Sequence, residues 1–301
     1  MENKKKIVDV LCVGDACYDQ VFGVDHHPAP DEKCSASSFL SCGGGPAANA
    51  AVTVARLGYL SAFAGYLGED VFGDLHFKEL EKEGVVLDYI VRGAAPTRLS
   101  SIFIKPDGAR SVVNFRTATG EQPADSIGFS SCEPRAILFD GHEPHLSVAL
   151  AKRAAHDNIP TILDAGSVHC GTELLVDAVD YIVASEMFSS DFSGEANPER
   201  AVVALSDRCQ AAVVTLGERG SVWARSLGVS GSVKPFCVDV VDSTGAGDAF
   251  HGAFAVGIAM GMEWDELLRY ASAAGAVCCT KPGGRPGLPY KGEIEALCAP
   301  K

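Results

Sequence analysis

The chain has 301 residues, 47% hydrophobic and 21% charged, which is ordinary globular usage and leaves no room for a long disordered tract. Its 25 Lys and Arg against 39 Asp and Glu give a formal charge of −14, a balance that disfavours nucleic acid or an anionic membrane as partner. Any anionic ligand must therefore be held by local donors.

Met1 to Lys6 is charged, and the apolar run behind it, Ile7 to Val13, contains Asp9 and is too short to span a bilayer or form a signal core. A cytoplasmic protein is expected. Eleven cysteines without a Cys-x-x-Cys read as reduced core thiols, not as a zinc site or a disulfide framework.

Ile7 to Val13 predicts a buried strand, and the segment after Gly43-Gly44-Gly45-Pro46 predicts a helix that stops at Gly58. Apolar runs at Ser61 to Tyr66, Ile137 to Asp140, Thr161 to Asp164, Tyr181 to Ala184 and Ala211 to Leu216 follow. They alternate with helix-like stretches at Leu75 to Glu83, Ser147 to Asp157 and Pro198 to Gln210. That alternation predicts a mainly parallel sheet with helices on both faces. Two segments break it. Cys17 to Leu40 and Thr97 to Arg116 read as short alternating strands with turns, including Pro106-Asp107-Gly108 between Ser101 to Lys105 and Ala109 to Phe115. The expectation is one α/β domain over 1–301 with a small antiparallel β lid, discontinuous over about 16–41 and 96–117, above the strand C-termini where open α/β sheets bind ligands.

Near the C-terminus, the apolar run Phe236 to Val241 predicts a strand that delivers the chain to Asp242-Ser243-Thr244-Gly245-Ala246-Gly247-Asp248-Ala249-Phe250 and then to a helix reaching about Gly261. Small residues at 245–247 let backbone N–H groups approach an anion, and the helix N-terminus adds partial positive charge. A phosphate site is implied. Asp248 is repelled by such a phosphate unless it acts as a general base on an attacking hydroxyl; the plainer alternative is an acidic first-turn residue complementing the helix dipole. Phe250 stands where a dinucleotide fingerprint needs its third glycine, and no Lys follows a Walker-type loop. The second glycine cluster, Gly43 to Gly45, sets bare backbone beside the amide of Asn49. This suits a polyhydroxylated ligand or, more simply, a tight strand-to-helix connection.

Taken together, these motifs resemble those of the ribokinase-like carbohydrate kinases, the PfkB family: 242–250 matches its C-terminal signature and Gly44-Gly45 with Asn49 its N-terminal one. The resemblance runs from about Ile7 to the C-terminal tail. It implies a three-layer α/β/α ribokinase-like fold, Asp248 as catalytic base, and Gly245, Ala246 and Gly247 as the anion hole. It further implies Asp19, Gly44, Gly45 and Asn49 as sugar ligands, with Asn114 and Arg116 as lid candidates for specificity. Thr215, Gly217 and Gly220 resemble the nucleotide-binding turn, and Thr244 and Gly284 lie in loops that the resemblance places near the nucleotide. ATP and Mg²⁺ are the implied cofactors. Asp242 matches a residue that in some relatives helps hold a monovalent cation, which implies potassium activation. The family's Asn-x-x-Glu is replaced by Ser185-Glu186-Met187-Phe188, so Glu186 is left to reach Mg²⁺ through water.

The Gly-Gly-Gly-Pro-Ala-Ala run and the Thr280-Lys281-Pro282-Gly283-Gly284-Arg285 tail look most like a branch that includes ketohexose kinases and sulfofructose kinase. In the latter an Arg helps bind the sulfonate where this chain has Asp140-Gly141-His142, which favours a neutral ketose or pentose phosphorylated on a primary hydroxyl. Lys105 and Arg110 read as solvated turn-flanking charges. A nucleoside kinase would use Phe22, Phe39, Phe103 and Phe115 as a base pocket, although these also suit a lid core. A non-catalytic sugar-binding regulator on the same fold is the alternative of a different kind. An apolar lid face would need a cover, so a homodimer through paired lids is expected.

Overall fold

A computed structural model of the protein describes residues 6–116, 123–127, 132–226 and 228–299. Residue 117, the expected end of the second lid segment, lies outside the described residues. The chain opens with β1 (Lys6–Val13), β2 (Cys17–Gly23), β3 (Ser38–Gly44) and α1 (Pro46–Arg56). β4 (Ser61–Gly68), α2 (Val71–Lys82) and β5 (Val86–Gly93) lead to the hairpin β6 (Arg98–Ile104) and β7 (Arg110–Phe115). Alternating units follow: β8 (Cys132–Phe139), α3 (Pro144–Asp157), β9 (Thr161–Ala165), α4 (Cys170–Leu175), β10 (Tyr181–Ser185), α5 (Glu186–Ser193), α6 (Pro198–Ser206) and β11 (Ala211–Thr215). A 3₁₀ turn at Gly217–Arg219 precedes β12 (Ser221–Arg225) and β13 (Ser230–Val233). The chain closes with α7 (Ala246–Met260), α8 (Trp264–Cys278), α9 (Gly284–Gly287) and α10 (Lys291–Cys298).

The main sheet has the order β13-β12-β11-β10-β9-β8-β1-β4-β5. It is parallel from β11 to β5, and only the edge hairpin β12–β13 runs antiparallel. Its central strands are apolar on both faces, as a sheet covered by helices on both sides requires. Val10 and Cys12 of β1 pack with α1, α7 and α8, whereas Leu11 and Val13 pack with Leu146 and Leu150 of α3 and Val202 of α6. Three layers result.

The smaller sheet, β3-β2-β6-β7, is antiparallel except where β2 pairs with β6. Phe22 packs against Phe39 at 5.1 Å and Phe103 at 5.6 Å between ring centroids, so these rings meet one another within the lid. Every residue of β7 is exposed.

One expected strand is absent. Phe236 to Val241 forms no sheet pairing: Pro235 precedes it, and the Val241 and Asp242 N–H groups donate to the Cys279 carbonyl at 2.8 and 3.2 Å instead of to a neighbouring strand. The phosphate-type loop is thus delivered by an irregular segment tied to the end of α8.

Candidate active site

Gly245 caps α7 in the left-handed region at φ 79°, which a side chain would strain, and the helix then runs through Ala246, Gly247 and Asp248. Asp242 fixes this turn: its Oδ1 accepts from the Thr244 N–H at 2.9 Å and its Oδ2 from the Gly283 N–H at 2.8 Å. Both oxygens of this single carboxylate therefore clamp the 243–247 loop to the 280–284 loop. Packing there is close, since a Cβ on Gly245 would stand 3.0 Å from the Gly284 Cα. Asp242 thus accounts for loop geometry.

Ala246 and Gly247 border a cavity of about 610 Å³ together with Ser243, Thr215, Gly217 and Gly220. The irregular segment contributes Phe236, Val238 and Val240, and α8 contributes Gly275 and Ala276. Thr244 and Gly284 are not among the lining residues. Thr244 Oγ1 accepts instead from Arg110 Nη1 at 2.9 Å, so Arg110 is a contact between the lid hairpin and the loop and not a merely solvated charge. Glu186 forms an ion pair with Arg219, the residue between the lining Glu218 and Gly220. Ser185 spends its hydroxyl on capping α5 through the Phe188 N–H. Among the described residues no group of three or more His, Cys, Asp or Glu could hold a metal ion.

α1 and α7 approach closely because Gly252 lacks a side chain: a Cβ there would lie 2.8 Å from the Ala50 carbonyl oxygen. That approach brings Asn49 to Asp248, and the Asn49 Nδ2 donates to Asp248 Oδ2 at 2.7 Å. Burial and the neighbouring Asp164 push the Asp248 carboxyl up to about 7, against the Asn49 hydrogen bond and His251, which pull it down. Asp164, at the C-terminal end of β9, is pushed well above the carboxylate range by burial and by Asp140, and burial lowers its neighbour His251. The His251 Nε2–H donates to the Val183 carbonyl at 3.1 Å, and Nδ1 stands 3.2 Å from Asp164 Oδ2. A neutral pair is the arrangement these surroundings favour.

Asp19 lies on β2, opposite Cys42 of β3, and is raised chiefly by burial. Gly44 has no room for a side chain, because a Cβ would run into the Asp19 carboxylate, and Gly45, at φ 95°, would press one to 2.5 Å from the Asp15 carbonyl. The Asn49 Oδ1 accepts from Arg285 Nε at 2.8 Å. With Nδ2 also engaged, Asn49 keeps its second Nδ2 hydrogen and the second lone pair of Oδ1 for a ligand. In the lid, Asn114 Oδ1 accepts from Ser100 Oγ at 3.0 Å, and Arg116 Nη2 stands 3.6 Å from Asp15 Oδ2. Arg98 Nη1 pairs with the other Asp15 oxygen at 2.6 Å. His142 and His169 stack at 4.5 Å.

The structure thus gathers Asp248, Asn49, Asp19 and the 245–247 turn, and sets Thr215, Gly217 and Gly220 around the adjoining cavity. Reading along the sequence gives no site role to Asp15, Arg98, Asp140, Asp164, His251 or Arg285. Asp140 and Asp164 carried one visible signal, an acid closing an apolar strand run.

The model of the pfkB family carbohydrate kinases matches residues 8–291. The chain belongs to the PfkB family. This carbohydrate kinase is 28% identical to a ribokinase of Haemophilus influenzae over 96% of this chain and 97% of that one. It is 31% identical to fructokinase-1 of Zea mays over 87% and 90%. An Arabidopsis thaliana ribokinase, solved in complex with ribose and ATP, superposes with a TM-score of 0.85 at 27% identity, covering 97% of this chain and 99% of that one. No helix among the described residues is long and apolar enough to cross a membrane.

Proposed function

We propose that this PfkB kinase transfers the γ-phosphoryl group of ATP to a primary hydroxyl of a small neutral sugar, a ketohexose or a pentose. The observation that carries this reading is the position of Asp248: a carboxyl pushed up to about 7, next to Gly247 on the wall of a nucleotide-sized cavity, hydrogen-bonded to Asn49 and within the field of Asp19. Relatives named ribokinase and fructokinase support the substrate class.

In this reading, Asp19 orients the sugar through its hydroxyls and Asp248 takes the proton of the hydroxyl that attacks phosphorus. The bond from the γ-phosphorus to the bridging oxygen breaks and ADP leaves. The N–H groups of the 245–247 turn hold the transferring oxygens. Mg²⁺ bound to the triphosphate would supply the charge neutralisation that an acidic protein lacks. The lid, with Arg110 on the 244 side and Arg116 beside Asp15, closes over the sugar and excludes water. The whole chain acts as one kinase unit, and a compartment holding ATP, the cytoplasm, is where it would work.

ADP release with ATP·Mg²⁺ across D-fructose, D-ribose, nucleosides and a sulfonated hexose tests the reading. Turnover of a neutral sugar is expected, with kcat/KM rising with pH through about 7 as Asp248 loses its proton. ATP binding without turnover of any acceptor would favour the regulator. Preference for nucleosides would show that Phe22, Phe39 and Phe103 part from one another to admit a base.

The exposed Val113 and Phe115 of β7 share one face of the lid sheet with the exposed Phe39 of β3, an apolar face for which a second copy of this chain is the proposed cover. Sedimentation at micromolar concentration is expected to give a dimer; a monomer throughout would refute it.

A further inference from the structure

Arg285 lies in α9, the single turn after the 280–284 loop, and only 4% of it is exposed. Its partners are neutral. Nε donates to Asn49 Oδ1 at 2.8 Å, Nη2 donates to His76 Nε2 at 3.1 Å, and Nη1 has no hydrogen-bond partner among the described residues. Since His76 Nε2 accepts, its ring proton sits on Nδ1, and burial together with Arg285 holds this imidazole well below its usual range, in the neutral state that the contact needs. The turn itself is anchored by Arg56, whose Nη1 donates to the Arg285 and Leu288 carbonyls at 3.1 and 2.8 Å while Glu83 holds its other side. A buried guanidinium is costly to desolvate.

An Asn amide has two orientations of nearly equal shape, and only one of them gives Asp248 a donor. We propose that Arg285 is a positioning residue: by occupying Asn49 Oδ1 it locks the amide with Nδ2 toward Asp248, and so sets the state of the base through a side chain that touches no substrate. The inference rests on Asp248 being the base. With the amide reversed, its oxygen would face the carboxylate and favour the protonated form. The other groups acting on Asp248 are Asp164 of β9, His251 of α7, Asp19 of β2 and Cys278 of α8; those acting on Arg285 are Glu79, Glu83, Cys42 and Arg56. None of these fixes the Asn49 orientation.

Arg285→Lys isolates the effect. The lysine Cε methylene takes the place of Nε, so the donor to Asn49 is lost while the positive charge remains. Side-chain carboxyl ¹³C NMR of the ligand-free protein, with the Asp248 signal assigned from Asp248→Asn, should show Asp248 titrating about one pH unit higher in Arg285→Lys. With D-fructose or D-ribose as acceptor, kcat at pH 7 should fall several-fold while KM for ATP stays within twofold. An unmoved Asp248 midpoint in folded Arg285→Lys would overturn the proposal. In the wild-type protein, which needs no variant, the Asn49 Nδ2 protons should exchange slowly and shift with the Asp248 midpoint. An amide alternating between two orientations would overturn it as well. Undiminished turnover by Asp248→Asn would instead refute the base, a failure that these NMR readings would not share.

Discussion

Asp248→Asn is expected to lower kcat by about 10²–10⁴-fold, the usual contribution of a positioned general base. ATP affinity should be unchanged or slightly tighter, because the substitution removes a carboxylate from beside the proposed phosphate site and keeps its shape. The Asn49 amide still has an oxygen to meet. Stability supplies an independent sign. A carboxyl raised from 3.8 to about 7 in the folded state binds more protons there than in the unfolded chain, so its ionisation subtracts stability as pH climbs between those values. Thermal melts of Asp248→Asn should therefore show a gain over wild type at pH 8 that shrinks toward pH 4. Turnover within a few-fold of wild type would end the base assignment. Lost turnover without the pH-dependent gain would keep the base and refute the raised carboxyl.

The sequence carries the part of this site that depends on contiguous backbone. A turn that lets Gly245 to Gly247 approach an anion must be spelled in adjacent small residues, and so must the Gly44 and Gly45 approach to Asp19 and Asp15. The alternation of apolar runs with helical stretches likewise announces a parallel sheet. What stays hidden depends on distant partners. Arg285 meets Asn49 across 236 positions and His76 across 209, and nothing in the local sequence marks a guanidinium that will be buried. The segment Phe236 to Val241 has the composition of a strand, yet hydrogen-bonds to the end of α8 and lines the cavity, a tertiary choice that overrides local propensity.

Asp140→Ala is expected to damage the fold and the sugar pocket together. The Asp140 carboxylate accepts from three backbone N–H groups: Asp15 at 2.7 Å and Ala47 at 3.1 Å through Oδ2, and His142 at 2.9 Å through Oδ1. Those donors belong to the turn between β1 and β2, the first turn of α1 and the loop after β8. Gly14 makes room for the arrangement, since a Cβ there would run into the same carboxylate. Removing the acceptor strands buried donors at roughly 1–3 kcal/mol each, so a loss of about 3 kcal/mol or more is expected, seen as a Tm lower by roughly 5 °C or more. The β1–β2 turn leads directly to Asp19, and α1 carries Asn49, so slack at Asp140 is transmitted to both residues proposed to hold the sugar. KM for the acceptor sugar should rise more than KM for ATP, because the 610 Å³ cavity is built from β11, the irregular segment, α7 and α8, none of which hydrogen-bonds to Asp140. Equal loss on both substrates would mean that Asp140 supports the sheet as a whole; a selective loss on the sugar would identify it as the tie that holds the acceptor pocket in register.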